Sequence, residues 1–338
     1  MIKIREAVPE DKEGWNAIAS KSPNATYAHT WEWKEVVEEG LGIKSLCLVA
    51  EDKGEIVGIY PGFLKPIENK PLLKGKFTLF SPLDLTWDYG GPCTFSSNSN
   101  EVLITLLIQM EKIAKKKGAV SLRISPFEGE PLKKILMERE YRISARLNSI
   151  IDLKNSEEEL EQKVRKKWRQ YVRKAEANGI QIVNVSNETN LKKVYDATLS
   201  VHQRENAYLP PYSFFKIMFR IMDKNKLWVR AALLENKIIG GDILFKHRDT
   251  VVERYRGVFD EYMDLRPYYL MMWSAITESK KSGFERYDLG GMPSDEKNGV
   301  YFFKSGWGGE LINVDWYVKD VKYQTVRKFK HKLGGKLA

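Results

Sequence analysis

The chain has little cysteine and little histidine. Cys47 and Cys93 are the two cysteines among 338 residues, and they stand in apolar or turn contexts without CxxC spacing. That arrangement argues against a disulfide framework and against a structural zinc site. The four histidines, His29, His202, His247 and His331, are scattered and form no HExxH pattern, so no metal site is expected. Long apolar runs are also missing. The longest, such as Val102 to Met110, is far too short to span a bilayer. The first residues, Met1 to Asp11, read as a strand and a helix start with no signal-peptide apolar stretch. A cytoplasmic protein is the expectation.

What is present suits a folded chain of about two ordinary domains. Hydrophobic residues make up 43% and charged residues 30%, enough for packed cores and too apolar for global disorder. Aromatics reach 12%, with nine Trp and sixteen Tyr, which fits either a large core or concave aromatic-lined surfaces. The net charge is +10. A basic balance favours polyanionic partners such as RNA, phosphorylated metabolites or an anionic membrane face, although a lysine-rich solubilising surface gives the same number.

The sequence repeats itself at low resolution. Each half opens with aromatic-striped helices: Trp15, Trp31 and Trp33 in the first, Tyr195 to Arg204 and Tyr212 to Met222 in the second. Each then reads as a hairpin, Ser45–Ala50 with Ile56–Phe63 and Leu227–Leu234 with Ile238–Phe245, around a short polar turn. Each closes with an amphipathic helix, a glycine (Gly118 or Gly283) and a strand. The spacing between matched glycines is unequal, and the extra length of the first half is expected within Ile59 to Trp87. The expected architecture is mixed α/β in two similar halves, residues 1–150 and 151–338, with a single large α/β domain as the alternative.

A basic segment opens the second half. Ser156 with Glu159 fits a capping box, and one helix is expected over 157–178, stopping at Asn178-Gly179. Lys163, Arg165, Lys166, Lys167, Arg169, Arg173 and Lys174 crowd one stretch of it, flanked by the acidic residues Glu161 and Glu176. Val164, Trp168, Tyr171, Val172 and Ala175 supply an apolar side. Such a helix can dock by that side and turn Lys and Arg toward phosphates; a solvated charged face is the plainer reading. Glycine-rich turns follow: Gly290-Gly291, then Gly306, Gly308 and Gly309 around Trp307, with Trp87-Asp-Tyr-Gly-Gly-Pro92 in the first half. These permit close backbone approach by a phosphate or peptide, or serve as ordinary strand-end turns.

Three segments together resemble the Fem family of peptidyltransferases, within the GNAT superfamily. Lys167-Trp-Arg-Gln-Tyr-Val-Arg-Lys-Ala-Glu-Ala-Asn-Gly-Ile-Gln-Ile resembles its signature helix and strand. Tyr287-Asp-Leu-Gly-Gly-Met followed by Val300-Tyr-Phe-Phe-Lys-Ser-Gly-Trp-Gly-Gly-Glu resembles its second hallmark, and Thr30-Trp-Glu-Trp-Lys its aromatic first helix. The resemblance spans nearly the whole chain. It implies two tandem GNAT-like domains, each a mixed sheet flanked by helices, with a cleft between or beside them. It also implies transfer of an amino acid from aminoacyl-tRNA to an amine of a cell-wall-like, nucleotide- or lipid-linked peptide precursor, with no cofactor.

By position, Lys304 matches the lysine that steadies the developing negative charge, with Phe303 before it; Asp288 is a candidate proton acceptor. Lys34 with Trp33, and Arg204, fall near positions that hold the acceptor's phosphates. Asp88, Tyr89, Tyr255, Arg256, Gly290 and Gly291 are candidate substrate contacts, and Lys166, Lys167, Arg169, Arg173 and Lys174 candidate tRNA contacts. Peripheral contact with an anionic membrane is a further expectation, and the basic stretch Lys322 to Lys336 reads equally as a contact for RNA, for such a membrane or for nothing.

Two readings stand beside this one. The first is an N-acyltransferase using acetyl-CoA or another acyl-CoA on a small-molecule or peptide amine. Its pyrophosphate is expected on an Arg/Gln-x-x-Gly-x-Gly/Ala turn that opens a helix; Gly257–Leu270 lacks that glycine pair and Gly90-Gly-Pro-Cys93 misses the pattern, which counts against it. The second is a non-catalytic RNA- or partner-binding module on the same fold.

Overall fold

The computed structural model describes residues 2–66, 77–81, 90–95, 99–126 and 130–321. In chain order, it begins with β1 (Lys3–Glu6), α1 (Lys12–Lys21), α2 (Trp31–Leu41), β2 (Leu48–Asp52), β3 (Glu55–Tyr60), β4 (Phe63–Pro66) and β5 (Phe77–Ser81). Next come β6 (Cys93–Thr94), α3 (Ser99–Lys116), β7 (Ala119–Ile124), α4 (Glu130–Glu138), β8 (Arg142–Ser144), β9 (Leu147–Asp152), α5 (Glu157–Lys163) and α6 (Lys166–Ala177). β10 (Gln181–Asn184), α7 (Glu188–Arg204), α8 (Tyr212–Ile221), β11 (Leu227–Leu234), β12 (Lys237–His247) and β13 (Thr250–Val258) follow. The chain continues through α9 (Pro267–Lys281), β14 (Arg286–Met292), α10 (Gly299–Ser305), β15 (Glu310–Asn313) and β16 (Trp316–Asp320).

Both expected hairpins form, β2 with β3 and β11 with β12. Their turns, Lys53-Gly54 and Glu235-Asn236, have positive φ at both central residues. That is the turn geometry whose twist matches paired strands. In each half a helix then carries the chain between parallel strands, α3 from β5 to β7 and α9 from β13 to β14. Parallel neighbours cannot be joined by a tight turn, so a crossover helix is required. The extra length of the first half contains β4 and β5.

The chain divides into two compact units. One comprises residues 1–38, 42–145 and 314–338; the other comprises 39–41 and 146–313. This differs from a simple division at 150/151, and backbone pairing is the reason. β9 lies between β14 and β15 in the seven-stranded sheet β10-β11-β12-β13-β14-β9-β15 and so belongs entirely to the second unit. β16 leaves that unit and inserts between β7 and β8 of the first, closing the five-stranded sheet β4-β5-β7-β16-β8. The first unit also holds the sheet β1-β2-β3-β6. Cys47 and Cys93 are free and buried there, and burial pushes their thiols up to about 11 and about 12.

The basic segment forms two helices where one was expected. The capping box is present, with Ser156 Oγ accepting from Glu159 N and the Glu159 carboxylate accepting from Ser156 N. The helix stops at Lys163 and restarts at Lys166, because Val164 and Arg165 are extended. Tertiary bonds replace the helical ones at the break: Val164 is buried, and Arg165 N donates to Gly306 O. Removing the cap with Ser156→Ala is expected to cost about 1 kcal/mol, read as a lower urea midpoint for the second unit.

Candidate functional site

β13 and β14 pair only from Thr250–Val252 against Arg286–Asp288. Beyond Asp288 they part: β13 runs on to Val258 with β12, while β14 runs on to Met292 with β9. Two irregularities mark the place. β12 and β13 slip register between Ile243 and Leu244, leaving Arg254 as the extra residue, and β14 slips against β9 between Asp288 and Gly291.

Lys304 reaches this place from α10. Its partly buried Nζ donates to Gly291 O at 3.0 Å, the one hydrogen bond of the ammonium among the described residues. Burial pushes Lys304 below the usual lysine range; the carboxylates of Glu253 and Asp288 oppose that shift, and Arg256 and Arg254 reinforce it. Gly290 beside it has φ +74°, a conformation that suits glycine, and a Cβ there would crowd Glu253 O at 3.2 Å while meeting Lys304 Nζ only in ordinary contact at 3.5 Å.

Asp288 is fully buried, and its carboxylate accepts from Gly290 N at 2.7 Å and from Asn148 Nδ2 at 3.1 and 3.3 Å. Those bonds hold the Gly290-Gly291 turn, and with it the carbonyl that fixes Lys304. The expected proton-acceptor role is therefore corrected to a positioning one, because a carboxylate enclosed by donors of its own protein is not presented to a substrate amine.

A buried charge network lies behind the lysine. Arg230, Asp242 and Arg256 are neighbours on adjacent strands. Asp242 accepts from Arg230 Nη2 at 2.8 Å and from Arg256 Nη2 at 3.3 Å, and Arg256 also pairs with Glu253 at 3.0 Å. Tyr287 Oη donates to Glu253 at 3.1 Å. Arg230 is anchored to α9 through Met271 O, Ser274 and Glu278. The positive charges of Arg230, Arg256 and Lys304 thus face Asp242, Glu253 and Asp288, which is what lets so many charges be buried together. Arg256 is fixed in this network, and among the described residues its Nε and Nη1 have no hydrogen-bond partner.

Phe303 is a packing residue. It meets Trp168, Tyr268, Tyr269 and Trp307, and its carbonyl accepts from Trp168 Nε1 at 3.1 Å. Gly306, at the end of α10, lies against the same indole: a Cβ there would sit 2.2 Å from Trp168 Nε1. Gly306→Ala is expected to displace Trp168 and cost about 1–3 kcal/mol, with a matching shift in intrinsic tryptophan fluorescence.

The remaining expected residues that the structure describes have partners of their own. Tyr255 is buried against Phe215 of α8, ring centroids 4.9 Å apart, because alternation along β13 sends it to the face opposite Arg256. Trp33 has no exposed surface and packs edge-on to Tyr27 in the first unit, so it is a core residue rather than a ligand contact. Lys34 pairs with Glu38 at 2.8 Å and lies 4.5 Å from the Trp31 ring centre. Arg204 ends α7, pairs with Asp260 and lies beside Tyr268, which meets Phe303 and neighbours Arg256. Asp88, Tyr89 and the basic stretch 322–336 lie outside the described residues.

On α6, Lys166, Lys167, Arg173 and Lys174 are exposed, while Arg169 is half-buried. Arg173 pairs with Glu161 at 3.1 Å. The opposite side of α6 is buried as its pattern requires, with Trp168, Val172 and Ala175 in the core of the second unit. Among the described residues no group of acidic, cysteine or histidine side chains could hold a metal, and no helix is long and apolar enough to cross a membrane.

Sequence reasoning passed over Arg230, Asp242, Glu253 and Asn148, which lie inside ordinary strand patterns. It also passed over Tyr268, whose hydroxyl burial pushes up to about 12 and which neighbours Arg204 and Arg256. The one signal for Tyr268 was its place in Leu265-Arg-Pro-Tyr-Tyr-Leu270, at the start of α9.

Residues 162–305 match the acetyltransferase (GNAT) domain family. Over its length the chain superposes on FemX with a TM-score of 0.74 at 14% identity, covering 97% of this chain and 99% of that one. The chain has the tandem GNAT fold of the Fem-like proteins.

A tandem GNAT protein from the clavulanic acid biosynthesis pathway gives a TM-score of 0.60 at 10% identity, with 95% and 99% coverage. The C-terminal domain of a putative lysylphosphatidylglycerol synthetase from Agrobacterium fabrum gives 0.58 at 14% identity, with 92% of each chain covered. No curated protein matches by sequence. The GNAT match begins within α5 and ends at the last residue of α10, so it takes in the basic helix, the parting of β13 and β14, and Lys304.

Proposed function

We propose that this GNAT-fold protein is an aminoacyltransferase that moves an amino acid from aminoacyl-tRNA to an amine of a peptide-bearing precursor linked to a nucleotide or a lipid. The observation that carries this reading is Lys304, a partly buried cation tied to Gly291 O beside the parting of two strands. In the transfer, the neutral acceptor nitrogen attacks the ester carbonyl and a C–N bond forms. The C–O bond to the ribose then breaks, and the ribose oxygen takes up the proton that the nitrogen loses. Negative charge gathers on the carbonyl oxygen in between. An ammonium already fixed and partly desolvated stabilises that charge with little reorganisation.

Two further observations support the reading. The exposed cations of α6 suit RNA phosphates. The fold is shared with FemX and with a lysylphosphatidylglycerol synthetase domain, and the latter's name brings in a lipid-borne acceptor and an anionic membrane face. The test is incubation with tRNAs charged with labelled amino acids and a nucleotide-linked peptide, read by mass spectrometry. A peptide extended by one amino acid is expected. Absence of that product with every charged tRNA, while acetyl-CoA is consumed, overturns the proposal.

One observation favours a second reading, a thioester donor: the family match over 162–305 is to an acetyltransferase domain. Under that reading acetyl-CoA binds saturably in calorimetry, and absence of heat at high protein concentration counts against it.

A further inference from the structure

We propose that Phe302 and Arg165 form a stacking platform for a nucleobase carried by the acyl donor, and that the base belongs to the single-stranded end of an RNA. This rests on the RNA-borne donor proposed above. Phe302 is 52% exposed, whereas Phe303 beside it is packed into the core. One exposed aromatic is ordinary; this one is held in place. Arg165 lies over its ring, with Cζ 4.4 Å from the centroid. The same guanidinium donates to Phe302 O at 2.8 Å and to Ser305 Oγ at 3.1 Å. Trp168 meets the ring edge-on, 5.3 Å away at 80°.

Every hydrogen-bond partner of the Arg165 side chain among the described residues is a neutral oxygen, so its positive charge is not cancelled. The break between α5 and α6 is what brings Arg165 to this position, since its N–H bonds Gly306 O in place of a helical carbonyl. A guanidinium on an arene, fixed on two sides and open to solvent, is the arrangement that stacks planar bases whatever their sequence.

The neighbouring charge selects RNA as the source of the base. Lys166 and Lys167 follow Arg165 directly and are exposed, placing cations where a phosphate backbone would run. Phe302 and Lys304 lie about 200° apart around α10 at about 100° per residue. The stacked base is therefore that of a nucleotide preceding the acylated one, since the acylated end must reach Lys304.

The experiment uses the full-length protein and an RNA hairpin with a short single-stranded 3′ end, in which 2-aminopurine replaces each end base in turn; a parallel arm uses etheno-adenine CoA. Wild type is expected to quench the RNA probe at one base before the last. Phe302→Leu keeps an apolar side chain without a π-face, and is expected to lose the quench and weaken RNA binding roughly 5- to 150-fold. Phe302→Trp is expected to restore both. Phe302 is exposed, so an unchanged melting curve for the leucine variant excludes misfolding.

Unchanged quench and affinity in Phe302→Leu overturn the proposal. RNA binding by wild type without any quench also overturns it, while leaving the RNA-borne donor standing. Quench of etheno-CoA and not of RNA supports the platform but overturns the RNA as source, and with it the donor proposed above.

Discussion

If the proposed transfer runs at this site, Lys304→Met is expected to lower its turnover by about 10²–10³-fold, the loss that follows removal of one oxyanion donor from a preorganised site. KM for either substrate is expected to change far less, because the contact strengthens only as charge develops on the carbonyl oxygen. The fold should survive. Burial places the native pKa of Lys304 below its unfolded value, so at alkaline pH the unfolded chain binds more protons than the native one. The charge therefore carries a penalty that is fully present below the native pKa and relieved as pH rises toward about 10.4, the ordinary value for lysine. Methionine removes the penalty while filling similar space, so the melting temperature at neutral pH is expected to be unchanged or higher.

The same shift gives a pH signature. Activity that needs the ammonium falls as pH climbs through the lowered pKa, producing an alkaline limb below that of a free lysine. The limb should be missing from the residual activity of Lys304→Met. A wild-type limb that persists unaltered in the variant, or turnover that does not drop, removes the catalytic role from this residue.

Arg230→Met is expected to destabilise the second unit by about 3–5 kcal/mol, the usual consequence of removing one partner of a buried ion pair. Asp242 is wholly buried and accepts from Arg230 through both oxygens, at 3.0 and 2.8 Å. After the substitution Arg256, at 3.3 Å, is the partner left to it among the described residues, and Arg256 is shared with Glu253. The α9 acceptors Met271 O and Ser274 Oγ each lose one donor as well. Urea unfolding followed by tryptophan fluorescence should show an early transition in which Trp168 and Trp307 are exposed. Arg230→Met combined with Asp242→Leu is expected to recover part of the loss, since no lone charge then remains in the core. Equal destabilisation by the single and double variants would contradict this account of the network.

Local structure was legible wherever one stretch of chain contains both halves of the interaction. The hairpins at Lys53-Gly54 and Glu235-Asn236 carry turn residues between apolar runs, so their pairing is a short-range event. Ser156 and Glu159 are three positions apart and cap each other. The apolar side of α6 follows from helical spacing alone, and Trp168, Val172 and Ala175 are buried accordingly. Lys304 was singled out by the family resemblance, whose segment is held within one turn and one short helix.

Other features depend on partners far apart in the chain. The break at Val164-Arg165 interrupts a stretch with good helix formers on both sides, and it exists because Gly306 O, Phe302 O and Ser305 Oγ offer better partners about 140 positions away. Asp288 reads as a free carboxylate until Asn148 and the Gly290 amide enclose it. Trp33 reads as a substrate contact beside Lys34, but the first unit closes over it and leaves it no exposed surface.

By itself, then, the sequence determined the mixed α/β class, the repeated hairpin–helix–strand pattern, the helix caps and the motif that carries Lys304. Periodicity, turn chemistry and capping act over a few residues, and their energies do not depend on what the rest of the chain does. The tertiary structure alone decided that β16 returns to the first unit and that β13 and β14 part after Asp288. It alone decided that Arg230, Asp242, Arg256 and Glu253 share one buried network behind the lysine. Charge pairing is settled by desolvation, because a charged side chain is tolerated in a core when a partner is brought to it, here from a neighbouring strand, from α9 or from farther along β13.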